Sequence, residues 1–169
     1  MRRAPARFGE RTRRLGVAGV TRVCIVGDPE VDLRRELLSR ETAREALSTY
    51  DLSAPFENAV AVETVSLGAA VALLNDLNWY LVRFADEAFV LDPSVSESEW
   101  LSRDLAERVR DGDVPPEETD VYLKLYGLED GELVEPLFVQ RTDGEVPEYD
   151  LRDVEETVVV RISADEFGA

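Results

Sequence analysis

Apolar positions along the chain fall into short runs with two periods, and those periods predict most of the elements. Thr21 to Gly27 (TRVCIVG) is a β-branched run closed by glycine, which predicts a buried strand. Asp28-Pro29 then turns the chain. Leu33, Leu37 and Leu38, followed by Ala43, Ala46 and Leu47, predict one or two helices up to about Tyr50, with Ser39 placed to cap the second. Val60 and Val62 alternate within NAVAVET as in a second strand. From Val65 to Leu77 (VSLGAAVALLNDL) apolar residues fall on every side of a helical wheel, which predicts a buried helix capped by Ser66. Its small residues Gly68, Ala69, Ala70 and Ala72 permit close approach to a sheet.

Trp79 to Phe84 and Ala88 to Leu91 read as two strands around the polar turn Asp86-Glu87. Ser96 and Glu99 fit the Ser-x-x-Glu capping box, and Leu101, Leu105 and Val109 recur at four-residue steps. This predicts a helix over 98–110, with Glu99–Arg103 and Asp104–Arg108 as i,i+4 pairs on its outer face. Residues 116–126 carry two patterns. Acids after Pro115-Pro116, Lys124 near the end and a closing Gly127 suit a helix; alternation of Val121, Leu123 and Leu125 suits a strand. The expectation here is a helix. Asp130-Gly131 turns into a strand over 133–140, where Pro136 marks an edge. Residues 142–155 are a polar loop, and Thr157 to Ile162 is a final, interior strand. The sum is one α+β domain over residues 20–169, with a mixed sheet of five or six strands and helices packed on it.

Charge changes the picture more than length does. A chain of 169 residues with 44% apolar residues builds one core without a disulfide or metal staple. Its 36 acids against 19 bases give a net charge of −17, and Lys124 is the only lysine. In dilute buffer such a charge works against the compact state. In molar salt the Debye length falls to about 3 Å and the repulsion is screened. A GC-rich codon bias explains arginine in place of lysine but not the excess of acids. The chain is therefore expected to be a cytoplasmic protein adapted to concentrated salt. Acidity argues against nucleic acid as a partner, since phosphate contacts dominate that affinity. The longest nearly apolar stretch, Val65 to Leu74, is too short to cross a bilayer.

The first residues differ from the rest. Arg2, Arg3, Arg7, Arg11, Arg13 and Arg14 stand against Glu10, a net of +5. Three readings apply to 1–19: a basic arm, a targeting peptide that lacks an apolar core, or a start codon placed too early with translation beginning at Val20. The third is favoured, and each implies a poorly ordered extension.

The sequence holds no histidine, which removes Ser-His and Cys-His catalysis and histidine-containing zinc sites. Cys24 is the single cysteine; it forms no intrachain disulfide and reads as a small buried hydrophobe. GDPE and EDGE lack the glycine spacing of a phosphate-binding loop. The order of elements over 21–92, with CIVGDPE and ETVSLGAAVALLNDLNWYLVRF, is similar to the receiver domain of response regulators. That resemblance implies a phosphoacceptor aspartate beside carboxylates that hold a divalent cation, with Asp28 and Asp86 in those places. The match is degenerate. Asp28 and Glu30 flank a proline, Arg83-Phe84-Ala85 precedes Asp86, and the only lysine is Lys124. Two readings apply to Trp79, Tyr80, Trp100, Tyr122 and Tyr126, the lining of a pocket or a place in the core or an interface; their strand and helix spacings favour the second.

Residues 20–169 resemble an uncharacterised family of acidic proteins of halophilic archaea, on VTRVCIVGDPEVDLRREL, VETVSLGAAVALLNDLNWYLVRF and DLRDVEETVVVRI. The resemblance implies a saline cytoplasm and assigns no activity, so no catalytic residue, metal ligand or cofactor is expected. Two functions remain. The favoured one is a non-enzymatic interaction or regulatory protein, with a protein partner or a second copy meeting an exposed aromatic patch. The other is a carboxylate-based metal- or ligand-binding sensor or enzyme, which requires Asp28, Glu30, Asp86 or Asp92 to converge in a concave pocket.

Overall fold

The computed structural model describes residues 20–142, 144–145 and 156–168. The expectations for 1–19 and for most of the loop over 142–155 lie outside the described residues. Seven strands form one sheet: β1 (Thr21–Gly27), β2 (Ala59–Thr64), β3 (Ala85–Leu91), β4 (Trp100–Ser102), β5 (Tyr122–Glu129), β6 (Glu132–Gln140) and β7 (Glu156–Ile162). Their spatial order is β2-β1-β3-β4-β7-β5-β6. Only the β4–β7 pair is parallel. The helices are α1 (Leu33–Leu38), α2 (Glu41–Leu47), α3 (Leu67–Asp76), α4 (Asn78–Phe84), α5 (Arg103–Arg110) and α6 (Ala164–Gly168). The class is α+β with a mixed sheet, as the sequence predicts, with one or two strands more.

Alternation along the strands divides the interior into two clusters. On β1, Val23 and Ile25 face the helices and pack with Leu33, Leu37, Leu74 and Leu105. Cys24, on the opposite face, packs with Phe89, Trp100, Tyr126 and Val160. Cys24 is fully buried, and burial pushes its thiol up to about 12. It is therefore a structural apolar residue rather than a nucleophile.

The turn after β1 shows why glycine stands at 27. A Cβ there would lie 2.6 Å from Asn58 Nδ2 and 2.7 Å from Leu33 Cβ. Asn58 adopts a left-handed φ of 56° and fastens the turn. Its Nδ2 donates to the carbonyls of Asp28 and Val31, and its Oδ1 accepts from the Leu33 amide, each at 2.9 Å. At the β5–β6 hairpin, Asp130 and Gly131 have φ of 52° and 83°, the pair of positive values that a type I′ turn requires.

Several expectations are corrected. Residues 79–84 are helix α4, not a strand, because Leu77 and Leu81 bury one face at i,i+4 spacing while Trp79 and Val82 face outward. Asp86 and Glu87 consequently lie inside β3 rather than in a turn. The helix over 98–110 begins only at Arg103. Trp100 to Ser102 are strand β4, and Ser102 caps α5 by accepting from the Leu105 amide at 3.1 Å. Ser96 does accept from the Glu99 amide, but it closes a turn, and Glu99 pairs elsewhere. Of the two predicted i,i+4 pairs, Asp104–Arg108 forms at 2.9 Å.

Residues 122–129 are strand β5, so alternation outweighs the charge order that suits a helix; only 116–118 make a helical turn. The N-cap of α1 is Asp32, which accepts from the Arg35 amide, while Ser39 is the C-cap of that helix, donating to the Arg35 and Glu36 carbonyls, and does not cap α2. The Val65–Leu77 segment forms α3 with its cap at Ser66, but it is not buried all round: Val65 and Ala72 are exposed. The edge position of β6 and the interior position of β7 agree with the sequence reading. The receiver topology does not survive, because that fold needs parallel strands and β1 is antiparallel to both β2 and β3.

Candidate functional site

The sheet brings together a group of polar side chains that lie far apart in sequence. On β3, alternation puts Glu87 on the face of Phe89 and Leu91. On β5 the same rule puts Lys124 between Tyr122 and Tyr126, with Leu123 and Leu125 buried behind. Glu87 Oε2 accepts a hydrogen bond from Tyr126 Oη at 2.6 Å and from Lys124 Nζ. The Lys124 and Glu87 side chains are 18% and 20% exposed, so this ion pair is largely withdrawn from water. Burial lowers the pKa of Lys124, opposed by the charges of Glu166 and Asp86. Burial and Asp86 raise the pKa of Tyr126, which keeps its hydroxyl protonated.

Beside this group opens a cleft of about 200 Å³. Its apolar wall is Leu81, Val82, Ala85 and Ala88; its polar wall includes Asp86, Glu87, Ser102, Arg103, Asp104 and Glu166. Ser102 Oγ donates to Glu166 Oε1 at 2.6 Å, which ties α6 to the start of α5. Arg103 is held by Asn75 and Asn78 through bonds of 3.0 and 2.9 Å.

The four acids singled out in the sequence do not converge. Asp28 follows β1 and accepts from the Glu30 amide in a local turn, and Glu30 is exposed. Asp86 opens β3 at the same end of the sheet, since Gly27 is opposite Ala85. Asp92 follows the far end of β3, about 20 Å along a strand of that length. It is buried and accepts from the Ser94 amide and hydroxyl, which makes it the cap of a turn. Among the described residues, no group of three or more histidine, cysteine, aspartate or glutamate side chains could hold a metal ion. Of the four, only Asp86 lines the cleft. Sequence reading missed Glu87, Ser102, Lys124, Tyr126 and Glu166. The available signal was the alternation Tyr122-Lys124-Tyr126, which puts the only lysine on a defined face of a strand.

A second feature is the outer face of α4. Trp79 and Val82 are 49% and 71% exposed. The Trp79 ring meets Tyr80 edge-on at 5.0 Å and Phe84 at 6.4 Å. The Arg83 guanidinium lies 3.8 Å from the Trp79 ring centroid, and Arg40, from the start of α2, lies 4.9 Å from that of Phe84. Three aromatic rings and two cations thus form one surface on a strongly acidic chain.

A family model described as a family of unknown function, DUF5804, matches residues 21–128. The chain belongs to the DUF5804 family. The segment matched to DUF5804 runs from β1 almost to the end of β5, so it includes Glu87, Lys124, Tyr126 and the whole of α4. In this chain β7 lies beyond that segment, yet it fills the place between β4 and β5. No curated protein and no solved structure matches the chain. Among the described residues, no helix is long and apolar enough to cross a membrane.

Proposed function

We propose that this protein is a non-enzymatic interaction or regulatory protein of a saline archaeal cytoplasm, and that it meets its partner through the outer face of α4. The observation that carries the reading is the exposed Trp79–Val82 surface, flanked by Arg83 and Arg40. Tryptophan and arginine dominate the energetics of protein interfaces, because they bury large area around a fixed polar group. The partner fitting this surface is a protein that offers an apolar anchor for Trp79 and carboxylates for the two guanidiniums. Acidic surfaces are plentiful in such a cell, and in molar salt the aromatic contact supplies most of the affinity while the charges set orientation. The chain's own carboxylates, such as Glu41, Glu45, Glu117 and Glu129, are exposed and keep the remaining surface hydrated.

Pull-down with the full chain in molar KCl tests this. The wild type is expected to recover one specific protein. Trp79→Ala, checked to retain its Tm within a few degrees, is expected to lose it. Recovery that is unchanged by Trp79→Ala, or recovery of the bait alone, contradicts the reading. Light scattering in the same salt identifies the case in which the partner is a second copy.

A further inference from the structure

The α4 surface and the cleft form one continuous face. Val82 is 71% exposed and also lines the cleft. Trp79 precedes it by three residues on the same helix, and side chains at that spacing are neighbours, with Cβ atoms about 5–6 Å apart. A segment seated on Trp79 therefore reaches the cleft with its next side chain. Charge changes sign along this face. Arg83 and Arg40 stand at the Trp79 end. Asp86, Glu87, Asp104 and Glu166 stand at the cleft end, against Arg103 alone. Arg103 is committed to Asn75 and Asn78 at 3.0 and 2.9 Å. Glu87, Asp104 and Glu166 serve Lys124, Arg108 and Ser102. Asp86 is exposed, and among the described residues its side chain has no hydrogen bond or ion pair. Size narrows the occupant. Sites for small organic ligands measure about 300–1,000 Å³. This cleft of about 200 Å³ has room for one side chain.

We propose that the protein partner seated on α4 inserts an arginine side chain into this cleft. The inference rests on the α4 reading and deepens it. The partner segment carries an acid facing Arg83 and Arg40, an apolar anchor on Trp79 and Val82, and an arginine about one helical turn further on. The guanidinium lays its planar fork against the cleft carboxylates, Asp86 first, while its apolar stem rests on Leu81, Val82 and Ala85. A lysine suits the place less, because its compact ammonium is more strongly hydrated. The two charged ends fix the direction of docking. A reversed segment would set its acid in the acidic cleft and its arginine against Arg83, and both contacts repel. Molar salt weakens charges farther apart than about 3 Å, so direct contact of this kind is what remains effective there.

The test uses the full chain in molar KCl. Propylguanidinium stands in for the arginine side chain and propylurea for its uncharged counterpart. In a titration followed by amide NMR shifts, propylguanidinium is expected to move residues 85–88 and 102–104 and to saturate in the millimolar range. Asp86→Asn is expected to weaken it about threefold, and propylurea to move none of these amides. In the pull-down, Asp86→Arg, checked to keep its Tm, is expected to reduce recovery of the protein that Trp79→Ala loses by about tenfold. Glu117→Arg, the same change of charge at an exposed position outside the cleft, is expected to recover it in full. Full recovery by Asp86→Arg, or equal shifts from propylurea, overturns this inference and leaves the α4 reading standing. Recovery untouched by Trp79→Ala removes the α4 reading, and this inference with it. Micromolar binding of free propylguanidinium marks a small-ligand site and also overturns the inference.

Discussion

Replacing Val160 with aspartate is expected to abolish cooperative folding. Val160 is fully buried in β7, opposite Trp100 of β4 on one side and Lys124 of β5 on the other. β4 and β5 do not pair with each other, so β7 alone joins the β2-β1-β3-β4 half of the sheet to the β5–β6 hairpin. A carboxylate at this place loses its hydration, and the cation opposite it, Lys124, is already paired with Glu87, so burial costs several kcal/mol. The total stability of a domain is about 5–15 kcal/mol, so that loss removes most of it. Val160→Asp is expected to show no sigmoidal thermal transition by circular dichroism. Val160→Ala, which creates only a small cavity, is expected to fold with a lower Tm. A Val160→Asp protein that melts within a few degrees of wild type contradicts the interior position of β7.

Glu99→Ala is expected to be the most damaging change to a polar side chain. Glu99 accepts from Arg141 at 2.8 Å and from Arg161 at 2.7 Å. The three side chains are 19%, 12% and 13% exposed, and Arg161 also donates to Thr119 Oγ1. The group ties β7 and the end of β6 to the loop before β4. Removing the carboxylate leaves two largely buried cations facing each other, which is expected to cost roughly 3–5 kcal/mol, or a Tm about 10–15 °C lower. The isosteric Glu99→Gln carries a pH signature. Burial pushes the Glu99 carboxyl up, but hydrogen bonds and charges from Arg141 and Arg161 outweigh it and hold the pKa below the ordinary value. A depressed folded-state pKa contributes stability that is complete above the unfolded value, about 4.3 for glutamate, and is lost as pH falls through the folded value. The stability gap between wild type and Glu99→Gln is therefore expected to be full above about pH 5 and to shrink below about pH 4. Chemical denaturation across that range measures it, and a gap that does not change with pH contradicts the assignment.

The parts of the fold legible in the sequence are those where one signal acts alone. β1, β2, α3 with its Ser66 cap, the Asp130-Gly131 turn and β7 each show a single period or a single turn requirement. The errors occur where two local signals compete and distant contacts decide. Trp79 to Phe84 is rich in strand formers, yet the need to bury Leu77 and Leu81 together makes it helical. Ser96 and Glu99 satisfy a capping pattern, but Arg141 and Arg161, more than 40 residues away, claim the Glu99 carboxylate. In β5, Lys124 at the end of a run looks like a helix-terminal charge, whereas its partner is Glu87, 37 residues earlier. The polar cluster was illegible for the same reason. Its members come from β3, β4, β5 and α6, and only strand order brings them to one face.

The charge pattern was the strongest signal in the sequence and the least dependent on fold. If the acids are tolerated because dissolved ions screen them, stability must follow the Debye length, which falls from about 10 Å at 0.1 M to about 3 Å at 1 M. The decisive measurement is the Tm of the full chain against KCl concentration at neutral pH. A rise of more than about 10 °C, roughly 3–5 kcal/mol, is expected, with most of it gained below 1 M. General solute exclusion would instead keep rising steadily at higher concentration. A Tm that is equal in 0.05 M and 2 M KCl would mean that the carboxylates are not held in place by screening, and would contradict the proposal of a protein built for brine.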